Sequence, residues 1–133
     1  MRIVLLSLAL VAGLASRPAA DPREPLVGLW TGESICTPVR PACRDEKAAY
    51  HIALADRPDA ISMLMNKVVG GKEETMGTLI FEVDAGARTL RSEVNQNGLH
   101  IVWDFAWSGS SMRGTLKQLP AGDIVRNITL RKP

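Results

Sequence analysis

The chain has 133 residues, of which 46% are hydrophobic, 23% charged and 5% aromatic. That is enough for one domain with its own core and too few for two. Lys and Arg total 16 against 14 Asp and Glu, a formal net charge of +2, which excludes a strongly electrostatic nucleic-acid binder, while the apolar content excludes a disordered chain.

The N-terminus opens with Met1-Arg2 and an apolar run from Ile3 to Ala12, followed by the small residues Gly13 and Ala15. One positive charge, a short apolar run and small residues are the pattern of a secretory signal peptide over residues 1–15, cleaved after Ala15. The run is shorter than the roughly 20 residues that span a bilayer, and no later stretch in the sequence is long and apolar enough to cross one. The mature chain is expected to be secreted or periplasmic, from a bacterium, with no membrane span. Residues 16–25 are rich in proline and charge and read as an extended leader. Residues 26–133 form the single domain.

From Leu26 onward, turn signals recur at Asp56-Arg57-Pro58-Asp59, Gly70-Gly71, Asp84-Ala85-Gly86, Asn95-Gln96-Asn97-Gly98, Ser108-Gly109 and Pro120-Ala121-Gly122-Asp123. The runs between them have the spacing of an all-β sandwich or barrel. Strands are expected at 27–36, 47–55, 61–68, 73–83, 88–95, 99–107, 111–118 and 123–131. Period-two alternation assigns the inward face. It takes Ala48, Tyr50, Ile52 and Leu54; then Gly77, Leu79, Phe81 and Val83; then Leu99, Ile101, Trp103, Phe105 and Trp107; then Met112, Gly114 and Leu116. The later connections are hairpin-short, so consecutive strands pair as a meander. A meander of eight strands closes on itself and removes its edges. The expected fold is therefore an all-β, eight-stranded antiparallel up-and-down barrel, with a two-sheet sandwich as the alternative. An interior of this size is filled by side chains or holds one small ligand.

Cys36 and Cys43 bracket Thr37-Pro38-Val39-Arg40-Pro41-Ala42. In an exported chain with only these two cysteines a disulfide is the default, contributing roughly 2–3 kcal/mol in the chain-entropy picture. The next residues, Arg44-Asp45-Glu46-Lys47, are either solvated surface or supply Arg44, Asp45 and Glu46, with Arg40, to a recognition edge on a stiffened loop.

Gly28-Leu29-Trp30 at the start of a meander, with Arg126 and Arg131 near its end, resembles the calycin group of lipocalins, fatty-acid-binding proteins and avidins. The resemblance implies a lipocalin-like barrel over residues 27–131. It also implies structural roles for Gly28 and Trp30, with Trp30 closing one end and a late basic residue packed over it. Trp30-Thr31-Gly32-Glu33-Ser34-Ile35-Cys36, Pro41-Ala42-Cys43-Arg44-Asp45-Glu46, Tyr50-His51-Ile52, Gly114-Thr115-Leu116 and Arg126-Asn127-Ile128-Thr129-Leu130 resemble small secreted bacterial proteins of unassigned function. In architecture alone, the chain is similar to periplasmic inhibitors of bacterial metalloproteases, whose N-terminal arm enters the protease cleft.

Ile124, Arg126, Ile128 and Leu130 share one face of the last strand, so Arg126 is expected to point inward. A buried guanidinium needs a partner. Either it packs over Trp30 or bonds a backbone carbonyl, or it anchors the carboxylate of an apolar ligand. Tyr50, Trp103, Phe105 and Trp107 either fill the core or, with Met63 and Met65, shape an adaptable cavity. The candidate ligand-binding residues are Arg126, Tyr50, Met63, Trp103 and Phe105. His51 and His100 fall on the outward face without a placed partner, and no phosphate-loop or zinc-protease motif occurs. Two cysteines cannot by themselves build a structural zinc site. No catalytic residues, metal or cofactor are expected. The reading is a non-catalytic barrel that binds a small apolar or anionic amphipathic ligand. The alternative is a protein-binding module, such as a protease inhibitor, acting through the N-terminal arm or the disulfide loop. N-terminal sequencing of the exported protein is expected to begin at Ser16; a mature form retaining the apolar run would remove the signal-peptide reading.

Overall fold

A computed structural model describes residues 13–14, 16–17 and 19–133. The signal-peptide reading of residues 1–12 and Ala15 lies outside the described residues. Eight strands follow one another: β1 (Gly28–Cys36), β2 (Glu46–Leu54), β3 (Ala60–Val69), β4 (Lys72–Asp84), β5 (Thr89–Gln96), β6 (Leu99–Ser108), β7 (Ser111–Gln118) and β8 (Asp123–Arg131). Every expected strand forms, and no boundary moves by more than one residue. Each strand pairs antiparallel with the next, and β1 pairs with β8, so the sheet is a closed up-and-down barrel. The sandwich alternative is set aside by that closure. Among the described residues no helix is long and apolar enough to cross a membrane.

The turns follow from their residues. Asn97 and Gly98 both have positive φ, 52° and 76°. That is the mirror-image turn whose twist matches a two-residue hairpin. Closure depends on a different glycine. A Cβ on Gly32 would lie 1.9 Å from the Thr129 carbonyl oxygen, so only glycine lets β1 approach β8 this closely.

One end of the barrel is plugged. A single 3₁₀ turn, Glu24–Leu26, crosses it and buries Leu26 completely. Trp30, also fully buried, donates its Nε1–H to the Leu26 carbonyl at 2.8 Å. Arg23 is itself buried. Its Nη1 donates to the carbonyls of Ala55, Arg57 and Ala60, and its Nε and Nη2 form a two-point bond to Asp21. These bonds hold the Asp21 carboxyl below the usual carboxylate range. The extended leader expected over residues 16–25 therefore gives way, from Asp21, to chain packed against the domain. Its Arg and Leu supply what the barrel end lacks, a cover for Trp30 and donors for the β2–β3 loop carbonyls.

The core runs from this plug upward through Ile61, Met63, Phe81, Leu90, Met112, Ile128 and Leu130. Phe81 meets Phe105 edge-on, with ring centroids 5.7 Å apart. The expected inward set on β8 needs one correction. The register shifts beside Leu116 and Lys117, whose partners are Arg126 and Ile124. Val125 between them joins the core, and Ile124 is left exposed. A bulge inserts one extra residue and breaks period-two alternation there.

Gly32→Ala is expected to lower the unfolding free energy by roughly 2–4 kcal/mol, because the clash is with backbone. Gly77→Ala, whose methyl meets no atom within 4 Å, is expected to leave stability equal or raise it by up to about 1 kcal/mol. Urea unfolding measures both; matching midpoints for the two variants would contradict the closure argument.

Candidate ligand-binding site

The end opposite the plug is open and carries a cavity of about 370 Å³. It has two sides. Ser34, Glu46, Tyr50 and Arg126, from β1, β2 and β8, form a polar wall. Met76, Leu79, Val94 and Ile101, from β4, β5 and β6, form an apolar wall across the lumen, with Trp103, Met65 and Leu116 between. Both register shifts of the barrel, at Met65/Asn66 against β4 and at Leu116/Lys117 against β8, lie beside this cavity. Bulges re-aim side chains locally. Here they turn Met76 and Arg126 toward the same space.

Arg126 points inward, as alternation implies, but it is not over Trp30. It stands near the open end, with its side chain 16% exposed. Its Nη1 donates to the Ser34 carbonyl at 3.3 Å and to Ser34 Oγ at 3.1 Å. Its Nη2 donates to the Arg44 carbonyl at 2.9 Å and to Glu46 Oε1 at 3.4 Å. Arg131 lies on the exposed outer face, bonded to Ser111 Oγ. The late basic residue at the plugged end is instead Lys132, which donates to the Pro25 carbonyl at 3.2 Å and passes over Gly28. The calycin-derived expectation for Arg126 and Arg131 fails for a geometric reason. β8 runs from the open end to the plug, so Arg126 lies too early in the strand to reach Trp30, and Arg131, at the right depth, has the outward parity.

Tyr50 is buried beside this pair. Burial, and then the negative charge of Glu46, push its phenol up to about 12; the Arg126 charge and a Ser34 hydrogen bond act the other way. The phenol is thus neutral at physiological pH. Trp103 stacks on Phe105 at 6.3 Å with rings 3° from parallel. Its Nε1–H is buried without a hydrogen-bond partner among the described residues. The cavity therefore combines an apolar wall, a neutral phenol and an internally paired guanidinium. That equipment suits one small molecule with an apolar body and a polar end.

Of the sequence candidates, Arg126, Tyr50 and Trp103 line the cavity. Met63 and Phe105 do not; both are fully packed in the core below it. Glu46 and Ser34 were not singled out for the lumen, although their signal exists. Glu46 continues the inward parity of Ala48, Tyr50 and Ile52, and Ser34 continues that of Trp30 and Gly32. Cys36 and Cys43 are joined. The loop they close is tied back to the barrel by Arg40 donating to Gln118, by Arg126 donating to the Arg44 carbonyl, and by Asp45 accepting the Cys36 N–H. The charge run after Cys43 thus mixes surface with a lumen carboxylate.

The fold defines a class, the closed eight-stranded up-and-down barrel with one plugged end and one occupied by a cavity. Among known proteins, no family model and no curated sequence matches this chain.

A phenol whose folded pKa is raised binds its proton more tightly when folded. Stability is then full below about 10, the unfolded value, and falls as pH rises toward about 12. The expected loss is on the order of 2–3 kcal/mol across that window. Tyr50→Phe is expected to remove this slope in urea titrations at high pH; an unaltered slope would place the titrating group elsewhere.

Proposed function

We propose that this is an exported, non-catalytic barrel of lipocalin type that binds one small apolar or amphipathic ligand in its lumen. The observation that carries the reading is the two-sided cavity of about 370 Å³, within the roughly 300–1,000 Å³ range of small-molecule pockets. The apolar body of the ligand lies along Leu79, Val94, Ile101 and Trp103. Its polar end lies toward Arg126 and Tyr50. An anionic end competes with Glu46 for the guanidinium, and the exchange is favourable where the ligand offers two oxygens to the planar fork. The Cys36–Cys43 disulfide supports an oxidising compartment, secreted or periplasmic. The calycin resemblance supports the same ligand class by analogy alone. The protein-binding alternative has less support. The inner half of its N-terminal arm is consumed by the plug at Arg23 and Leu26, and its disulfide loop is tied to β7 and β8.

Native mass spectrometry of gently purified protein is expected to show a reproducible co-purified small molecule that denaturation removes. For an anionic ligand, Arg126→Leu is expected to weaken binding by roughly tenfold or more, the loss of one charge-assisted pair. Unchanged affinity would remove Arg126 from the site.

A further inference from the structure

The ladder of the barrel is incomplete at one junction. β4 and β5 pair only from Glu82 with Arg91 to Asp84 with Thr89, at the plugged end. Above that point β4 is bonded to β3 from Lys72 to Phe81, and β5 to β6 from Ser92 to Gln96, but the two are not paired with each other. Two strand edges therefore face one another across a slit that runs to the open end. A row of backbone N–H and C=O groups on a strand edge is complemented by another extended chain. Behind the slit lies the cavity, reached by Met76, Gly77 and Leu79 from one edge and by Val94 from the other. Gly77 leaves the way open, since a methyl there would meet no atom within 4 Å.

The two edges are not equivalent. β4 carries Lys72, Glu73 and Glu74 and the irregularity at Met76, features that discourage strand pairing. β5 from Ser92 to Gln96 keeps an unbroken register with β6 and has Glu93 as its one charge. β5 is the receptive edge. We propose that this slit receives an extended segment of a partner protein, which adds to β5 as a strand and seats one large apolar side chain in the cavity behind Leu79 and Val94. Main-chain hydrogen bonds supply the affinity, and the pocket behind them supplies the selection. Because side chains alternate along a strand, the partner's inward positions are apolar and its outward positions lie beside Ile80, Glu93 and Asn95. A second copy of this chain fits less well. Among the described residues its free edges are these same two, and their inward side chains already face its own lumen. The proposal goes beyond the small-molecule reading and stands without it.

Random peptides displayed on phage and panned against the full chain, disulfide intact, are expected to enrich sequences that alternate apolar and polar residues. Methylating alternate backbone nitrogens of an enriched synthetic peptide is expected to weaken binding at least about tenfold by fluorescence anisotropy. Bound peptide is expected to slow hydrogen exchange of the Ser92–Gln96 amides in the unaltered protein. A closing arm uses the register: extended past Glu82 and Arg91, it sets Thr78 opposite Asn95, both exposed and outside the cavity lining. Thr78→Cys with Asn95→Cys, bridged by a short bis-maleimide, is expected to abolish binding that the unbridged double variant retains. The proposal is overturned by no enrichment over the bridged protein, by methylated peptides that bind as well as their parents, by unprotected β5 amides, or by sedimentation showing the slit occupied by a second copy.

Discussion

β1 lies between β2 and β8, and its pairing with β8 turns a meander into a barrel. The close approach runs through Gly32, where the Thr129 carbonyl occupies the place a side chain would take. Closure creates an inside. Until β8 returns to β1, alternation only separates a wetter face from a drier one. After it, Trp30, Tyr50, Phe81, Phe105 and Ile128 face one another across a single lumen, and each loses water on all sides. The same pairing brings Ser34 within reach of the Arg126 guanidinium.

The two ends of the lumen are finished by different chemistry. At one, a short segment before β1 supplies Leu26 as a lid over Trp30, and Arg23 as a donor to three loop carbonyls. A guanidinium with five N–H groups is suited to such a site, because it reaches the Ala55, Arg57 and Ala60 carbonyls on one side and the Asp21 carboxylate on the other. At the other end no apolar lid is present among the described residues. The disulfide loop folds over the β7–β8 side and is held by Arg40 and Arg126, leaving the lumen unfilled toward β4 and β5. The contrast between a plugged and an unfilled end is what leaves a cavity in a barrel this small.

Arg126 joins these parts. Its charge is balanced by Glu46, its geometry is fixed by Ser34 and the Arg44 carbonyl, and it biases the neighbouring Tyr50 phenol against the opposing effects of burial and Glu46. A partly buried ion pair of this kind adds little net stability, since desolvation offsets attraction. Its value is positional: it keeps a polar wall on one side of an otherwise apolar space. The β4–β5 slit stands across the lumen from that wall. There β4, bulged at Met76 against β3, is paired with β5 only from Glu82 to Asp84.

The strands, their order and the inward parity of Tyr50, Phe81, Trp103, Phe105 and Met112 were legible in the sequence, because turn residues and period-two alternation are local properties of the chain. So was the disulfide, from two cysteines in a chain expected to be exported. The same parity reached Ser34 and Glu46, but a serine and a member of a charge run carry no apolar signal to draw attention to the lumen. What the sequence did not disclose depends on residues far apart in the chain meeting. Bulges at Met76 and Val125 are differences between partner strands, and neither strand records them by itself. Whether Met63 and Phe105 line a cavity or lie packed beneath it depends on how far along the barrel axis each strand has been sheared. The placement of Arg126 near the open end, and of Arg23 and Lys132 at the plugged one, follows from strand direction in the closed barrel. The chain by itself determined which side chains face inward; only closure decided at what depth, because depth is a property of registers summed around the ring.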